Sequence, residues 1–137
     1  MLQSNELRIG NAVYTNITHR QITTTSNLAV VIHEIKLLKC AVSYVNNGTI
    51  SCNETNLYYT NLIPIQLTPG ILKKCGFVAN EYNDEFEYNL LLLDCEYTDG
   101  CFNVVFNECT LPLDLKYLHQ LQNLYFALIG KELTVKL

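Results

Sequence analysis

The chain has 137 residues, of which 49% are hydrophobic and 16% charged. Such a composition supplies a packed interior and excludes a disordered chain, and no apolar run approaches the roughly 18 residues of a membrane-spanning helix. Nine Lys and Arg against thirteen Asp and Glu leave a net charge of −4, which argues against nucleic-acid binding through bulk charge.

Residues Leu7–Thr15 read as a first strand, with Ile9 and Val13 facing one way and Gly10-Asn11 interrupting the pattern. The polar, Thr-rich stretch 16–27 suits a long hairpin loop or irregular strands. Leu28–Leu38 is dense in β-branched residues, which favours a strand, although Val31, Ile35 and Leu38 also share a helical face. Cys40–Val45 continues as a strand, Asn46-Asn47-Gly48 is a turn signal, and Thr49–Cys52 is the returning strand. Asn53–Asn56 reads as another turn. Leu57–Leu67 reads as extended chain in which Pro64 marks an edge strand or a linker.

The character changes at Thr68. With Thr68 as N-cap, Pro69 at the first helical position and Gly76 at the end, residues 68–76 predict a short helix. Lys73 and Lys74 stand in its last turn, where the helix dipole favours cations. Residues 80–85 read as an acidic loop, whose carboxylates lack the glycine and the regular offsets of a calcium loop. Phe86–Asp94 reads as a strand, and its run of four leucines, Leu90–Leu93, implies burial on both faces. Thr98-Asp99-Gly100 is a turn, and Cys101–Cys109 is the partner strand of a hairpin. Asp114 is the expected N-cap of the clearest helix, Leu115–Ile129. There Leu118, Leu121, Leu124, Tyr125 and Leu128 share one face, and Gly130 supplies the stop. Leu133–Leu137 alternates cleanly and reads as a final strand. The chain is therefore expected to be α+β, with a β-rich half over residues 1–67 and an α/β half over residues 68–137.

The six cysteines are Cys40, Cys52, Cys75, Cys95, Cys101 and Cys109, an even count that permits disulfides. The first residues, Met1 to Arg8, lack the basic and apolar regions of a signal peptide. The expected compartment is therefore the cytoplasm, and the expected thiols are reduced. Cys95 and Cys101 form the tightest spacing, too wide for the close pairs of a zinc site. The sequence has no P-loop, GxGxxG, GxSxG or HExxH. It implies no cofactor and no metal, and an enzyme is the less favoured class.

Three blocks carry a resemblance. The segment from Leu115 to Leu133, LKYLHQLQNLYFALIGKEL, is similar to the C-terminal signature of a family of small uncharacterised proteins of Bacteroidetes genomes, prophages and phages. Leu7–Val13 resembles the family's opening strand, and Pro64–Phe77 its central block, where Pro69-Gly70 replaces the acidic residues usual after the Thr. The resemblance implies an SH3-like small barrel in the N-terminal half, then a helix–β-hairpin–helix–strand half. It also implies a bacterial host cytoplasm. It supplies no activity and no catalytic residues.

Within the helix 115–129, His119, Gln122, Asn123 and Phe126 are neighbours at helical spacing away from the leucine stripe. They suit a partner or ligand surface, with amides for hydrogen bonds and Phe126 as an aromatic anchor; equally, the amides could serve backbone groups of a packed neighbour. Nine tyrosines suit interfaces as well as half-buried strands, and Tyr58-Tyr59 beside a loop is the best interface candidate among them. The favoured function is a non-catalytic protein-interaction module of the phage or prophage accessory kind, binding a protein partner or its own copies. A small-molecule binder, such as one that sequesters a nucleotide signal, is the alternative. Nucleic-acid binding through the SH3-like half is a further one, against which the net charge stands.

Overall fold

The computed structural model describes residues 2, 6–15, 28–35, 39–46, 49–58, 62–82, 85–96 and 100–137, with the backbone path alone for residues 28, 33–35, 39–46, 49–58 and 96. Two five-stranded antiparallel sheets and two helices make up these residues. The first sheet contains β1 (Ala12–Thr15), β2 (Leu28–Ile35), β3 (Lys39–Asn46), β4 (Thr49–Tyr58) and β5 (Leu62–Ile63), in the order β4-β3-β2-β1-β5. After α1 (Pro69–Lys74), the second contains β6 (Val78–Ala79), β7 (Glu85–Tyr88), β8 (Leu91–Glu96), β9 (Cys101–Phe106) and β10 (Cys109–Leu115), as a simple meander. Helix α2 (Leu118–Ile129) follows.

The expected SH3-like barrel is not formed. Closure would require β5 to pair with β4, and these are the two edges of an open sheet. β5 is two residues long and is followed by Pro64, which has no N–H to donate to a ladder. The second half is likewise not helix–hairpin–helix–strand. Each expected strand of the hairpin is two strands, because the chain turns at Asn89-Leu90 and at Asn107-Glu108. Asn89, Asn107 and Glu108 take positive φ of 54°, 49° and 66°, the backbone that tight hairpin turns need and that Asn tolerates better than most residues. Residues 133–137 form no strand. Leu133, Val135 and Leu137 do pack on the core, so the alternation reports one buried face rather than a hydrogen-bonded neighbour.

Several other boundaries shift. The first strand begins at Ala12, since Ile9-Gly10 is a turn with Gly10 at φ 92°. β4 runs straight through Asn53–Asn56, where a turn was expected. The expected loop 16–27 lies outside the described residues, as do Asn47, Gly48 and residues 97–99 of the expected turns. Thr68 does cap α1: its Oγ1 accepts a hydrogen bond from Ile71 N at 3.2 Å.

One main core cluster joins both sides of Thr68. Ala12, Ile65 and Leu67 pack with Leu72, Phe77, Phe86, Leu91, Leu93, Phe102, Val104, Leu115, Leu118, Leu121 and Tyr125. Two backbone bonds stitch the crossover, from Leu67 N to Lys116 O at 2.9 Å and from Leu118 N to Ile65 O at 2.8 Å. They place the start of α2 beside residues 65–67. The helix starts at Leu118, later than expected, because β10 carries the chain through Asp114 to Leu115. Gln120 Oε1 then accepts from Lys116 N and Tyr117 N at 3.0 Å each, which serves donors at the helix entry. Gly130 ends the helix in the left-handed conformation, φ 74°.

The leucine run is not buried on both faces. Leu91 and Leu93 are fully buried, Leu92 is half-buried, and Leu90 is 60% exposed at the turn. Leu91→Ala and Leu93→Ala are each expected to destabilise the protein by about 2–5 kcal/mol in urea unfolding, and Leu90→Ala by less than about 0.5 kcal/mol. Equal losses at all three positions would contradict the alternation.

Candidate functional site

The residues picked out on the second helix are brought together, but at an internal seam. His119 and Gln122 are 2% and 3% exposed, and Asn123 is half-buried. The helix is rolled relative to the leucine stripe, so that its buried side is Leu118, His119, Leu121, Gln122 and Tyr125, while Leu124 and Leu128 are half-buried. The cause lies in the segment leading into β1. Gln122 Oε1 accepts from Ala12 N at 2.8 Å, and Gln122 Nε2 donates to Gly10 O at 3.3 Å. Asn123 Oδ1 accepts from Asn11 Nδ2 at 2.9 Å, and Asn123 Nδ2 donates to Glu6 O at 3.0 Å. Asn11 is itself fully buried, and its Oδ1 accepts from Arg8 N at 2.7 Å. Two amide side chains thus act as a hydrogen-bonding edge for residues 6–12, satisfying backbone groups that burial would otherwise strand.

Phe126, 40% exposed, closes the outer end of this seam. The Arg8 guanidinium carbon lies 4.0 Å from the centroid of its ring, and Arg8 forks onto Glu132 with bonds of 2.6 and 2.8 Å. That hydrogen bond holds the Glu132 carboxyl below its ordinary pKa. The pair is exposed enough that its contribution to stability is small, about 0–1 kcal/mol. Of the tyrosine pair, Tyr58 lies in β4 with only its backbone described, and Tyr59 lies outside the described residues.

His119 stacks on Tyr117, with ring centroids 5.8 Å apart and planes 11° apart, and its Nδ1 has no hydrogen-bond partner among the described residues. Burial pushes the imidazole pKa below its ordinary 6.5, against an upward pull from the Glu6 carboxylate. The folded protein therefore holds this proton less tightly than the unfolded chain does. The neutral ring's contribution is complete above pH 6.5 and is lost as pH falls from there through the folded-state value. Among the described cysteines, Cys75 is buried with its thiol pushed up to about 12, which keeps it protonated and unreactive. Cys109 is also a free thiol. No group of three metal-ligating side chains occurs among the described residues.

A second feature was not recognised from the sequence. The inner face of the second sheet, with Phe86, Leu91, Leu93, Phe102 and Val104, belongs to the core. The strand register places Val78, Glu87, Leu92, Val105 and Thr110 in one row across all five strands on the other face. Glu85, Asp94, Asn103 and Asp114 form the neighbouring row. Val78 is 70% exposed, and Leu92 and Val105 are half-buried. Two shallow depressions of about 190 and 280 Å³ flank Glu87 and Leu92, which line both. The signal in the sequence was the alternation Glu85-x-Glu87 and Leu92-x-Asp94. The four consecutive leucines masked it by suggesting a strand covered on both sides.

No protein-family model matches the chain, and the comparisons found no similar curated protein and no similar solved structure. Among the described residues, no helix is long and apolar enough to cross a membrane.

Two tests follow from the seam. Gln122→Ala leaves the buried Ala12 N–H without a partner and is expected to cost about 1–3 kcal/mol by urea unfolding. A neutral result would mean that water or a rearranged chain replaces the amide. Stability should also fall as pH drops below 6.5 through the folded-state value, and His119→Leu should flatten that fall. An unchanged slope in the variant would assign the titration to another group.

Proposed function

We propose that this chain is a non-catalytic protein-interaction module that receives its partner on the outward face of β6–β10. The observation that carries this reading is the row of Val78, Leu92 and Val105 on a sheet whose opposite face is already occupied by the core. A five-stranded sheet is a rigid platform, and adjoining apolar side chains rimmed by polar ones, as Leu92 and Val105 are, suit a partner's contact surface. The resemblance of three sequence blocks to small phage and prophage proteins supports an accessory role in a bacterial cytoplasm. The alternative of a small ligand drew its support from His119, Asn123 and Phe126. Gln122 and Asn123 engage residues 6–12 of the same chain, and Phe126 lies against Arg8, which weighs against that alternative.

The test is site-specific photo-crosslinking in the cells that produce the protein. A photoreactive residue at Leu92 is expected to yield a discrete adduct with another polypeptide. The same residue at Ala127, exposed on α2 away from the sheet's outer face, should yield none. No adduct at Leu92, or equal adducts at both positions, would overturn the reading.

A further inference from the structure

Charge is segregated along this chain. Residues 75–115 contain nine Asp and Glu and no Lys or Arg, whereas the remainder carries nine Lys and Arg against four Asp and Glu. The second sheet is built entirely within that acidic stretch, so none of its five strands supplies a cation. Its outward face sets Glu85, Asp94 and Asp114 in a row beside Val78, Leu92 and Val105, with Glu87 between Val78 and Leu92. Glu108 and the exposed Leu90 stand at the end of the face where the turns of β7–β8 and β9–β10 meet.

We infer that the occupant of this face is a basic, amphipathic polypeptide segment, in which Lys or Arg alternates with apolar residues. This inference rests on the proposed role as an interaction module and names the chemistry of its partner. The argument is complementarity in two respects. The apolar row offers contacts for leucine-sized side chains, and the carboxylate row alongside it pairs with cations that an uncharged or acidic segment lacks. The dimensions agree. Neighbouring strands lie about 4.8 Å apart, so the row spans roughly 19 Å across five strands, about six residues of extended peptide. An excess of one sign of charge also steers an oppositely charged segment to the face before contact.

The test uses a fluorescent octapeptide of alternating lysine and leucine as the probe, with fluorescence anisotropy as the readout. Two controls replace its leucines by serine or its lysines by glutamate. The lysine–leucine probe is expected to bind, to weaken about tenfold between about 0.05 M and about 0.5 M salt, and to bind more tightly than either control. Leu92→Ser with Val105→Ser leaves the charge intact and should weaken it about tenfold, as should Glu85→Gln with Glu87→Gln and Asp94→Asn. Circular dichroism on each variant confirms that the sheet is retained, and a variant that unfolds is replaced by the single change Leu92→Ser. No binding, equal binding of the lysine–serine control, or indifference to the outward-face substitutions would overturn the inference. The crosslinking experiment separates this failure from that of the module itself. An adduct at Leu92 on an acidic segment, or on a second copy of this chain, removes the basic segment and keeps the module; no adduct removes the module.

Discussion

A buried backbone has to be hydrogen-bonded, and residues 10–12 meet that demand through Ile32 of β2 on one side and Gln122 on the other. On the side away from β2, the chain from Glu6 to Ala12 runs against α2. There Gln122 and Asn123 make four hydrogen bonds to Ala12 N, Gly10 O, Asn11 Nδ2 and Glu6 O. Those bonds decide how α2 is rolled, and the roll carries His119 into the interior and brings Phe126 under Arg8. With β1 fixed against α2, Ala12 joins the same core as Phe102 and Leu121, and the first sheet is tied to the second.

The second sheet divides its labour between faces. Alternation sends Phe86, Leu91, Leu93, Phe102 and Val104 to the core, and it obliges Glu87, Leu92, Asp94 and Val105 to face outward. The first set makes up the buried part of the core, while Leu92, Asp94 and Val105 are half-buried. The second set combines carboxylates with leucine and valine on one face. Helix α2 covers the inner side with Leu118, Leu121 and Tyr125 and leaves the outer side open among the described residues. Tyr125 also reaches the β7–β8 turn, where its hydroxyl accepts from Asn89 Nδ2 at 2.6 Å, so the helix braces the sheet at the end near Leu90.

Much of the local structure was legible. Thr68, Pro69 and Gly130 marked helix ends by chemistry that acts over three or four residues, and β2 and β3 were readable from β-branched density. The hairpin turns at Asn89 and Asn107 were missed because no glycine follows either asparagine, and the strands on both sides are apolar enough to read as one. The seam was half-legible. His119, Gln122, Asn123 and Phe126 were recognised as a group by their helical spacing. Whether amides on a helix face outward to a ligand or inward to backbone depends on what packs there, which helical spacing does not record.

The sequence by itself determined where most strands and both helices lie, which residues are apolar enough for a core, and that residues 75–115 carry negative charge alone. These follow from side-chain chemistry and short-range periodicity. Only the tertiary structure decided that the first sheet stays open, that the amides of α2 serve residues 6–12, and that Val78, Leu92 and Val105 share a row. Each of these depends on strand register or on contacts between residues far apart in the chain. Such contacts are set when the sheets and helix pack together, and a one-residue slip in register would turn the same side chains to the other face.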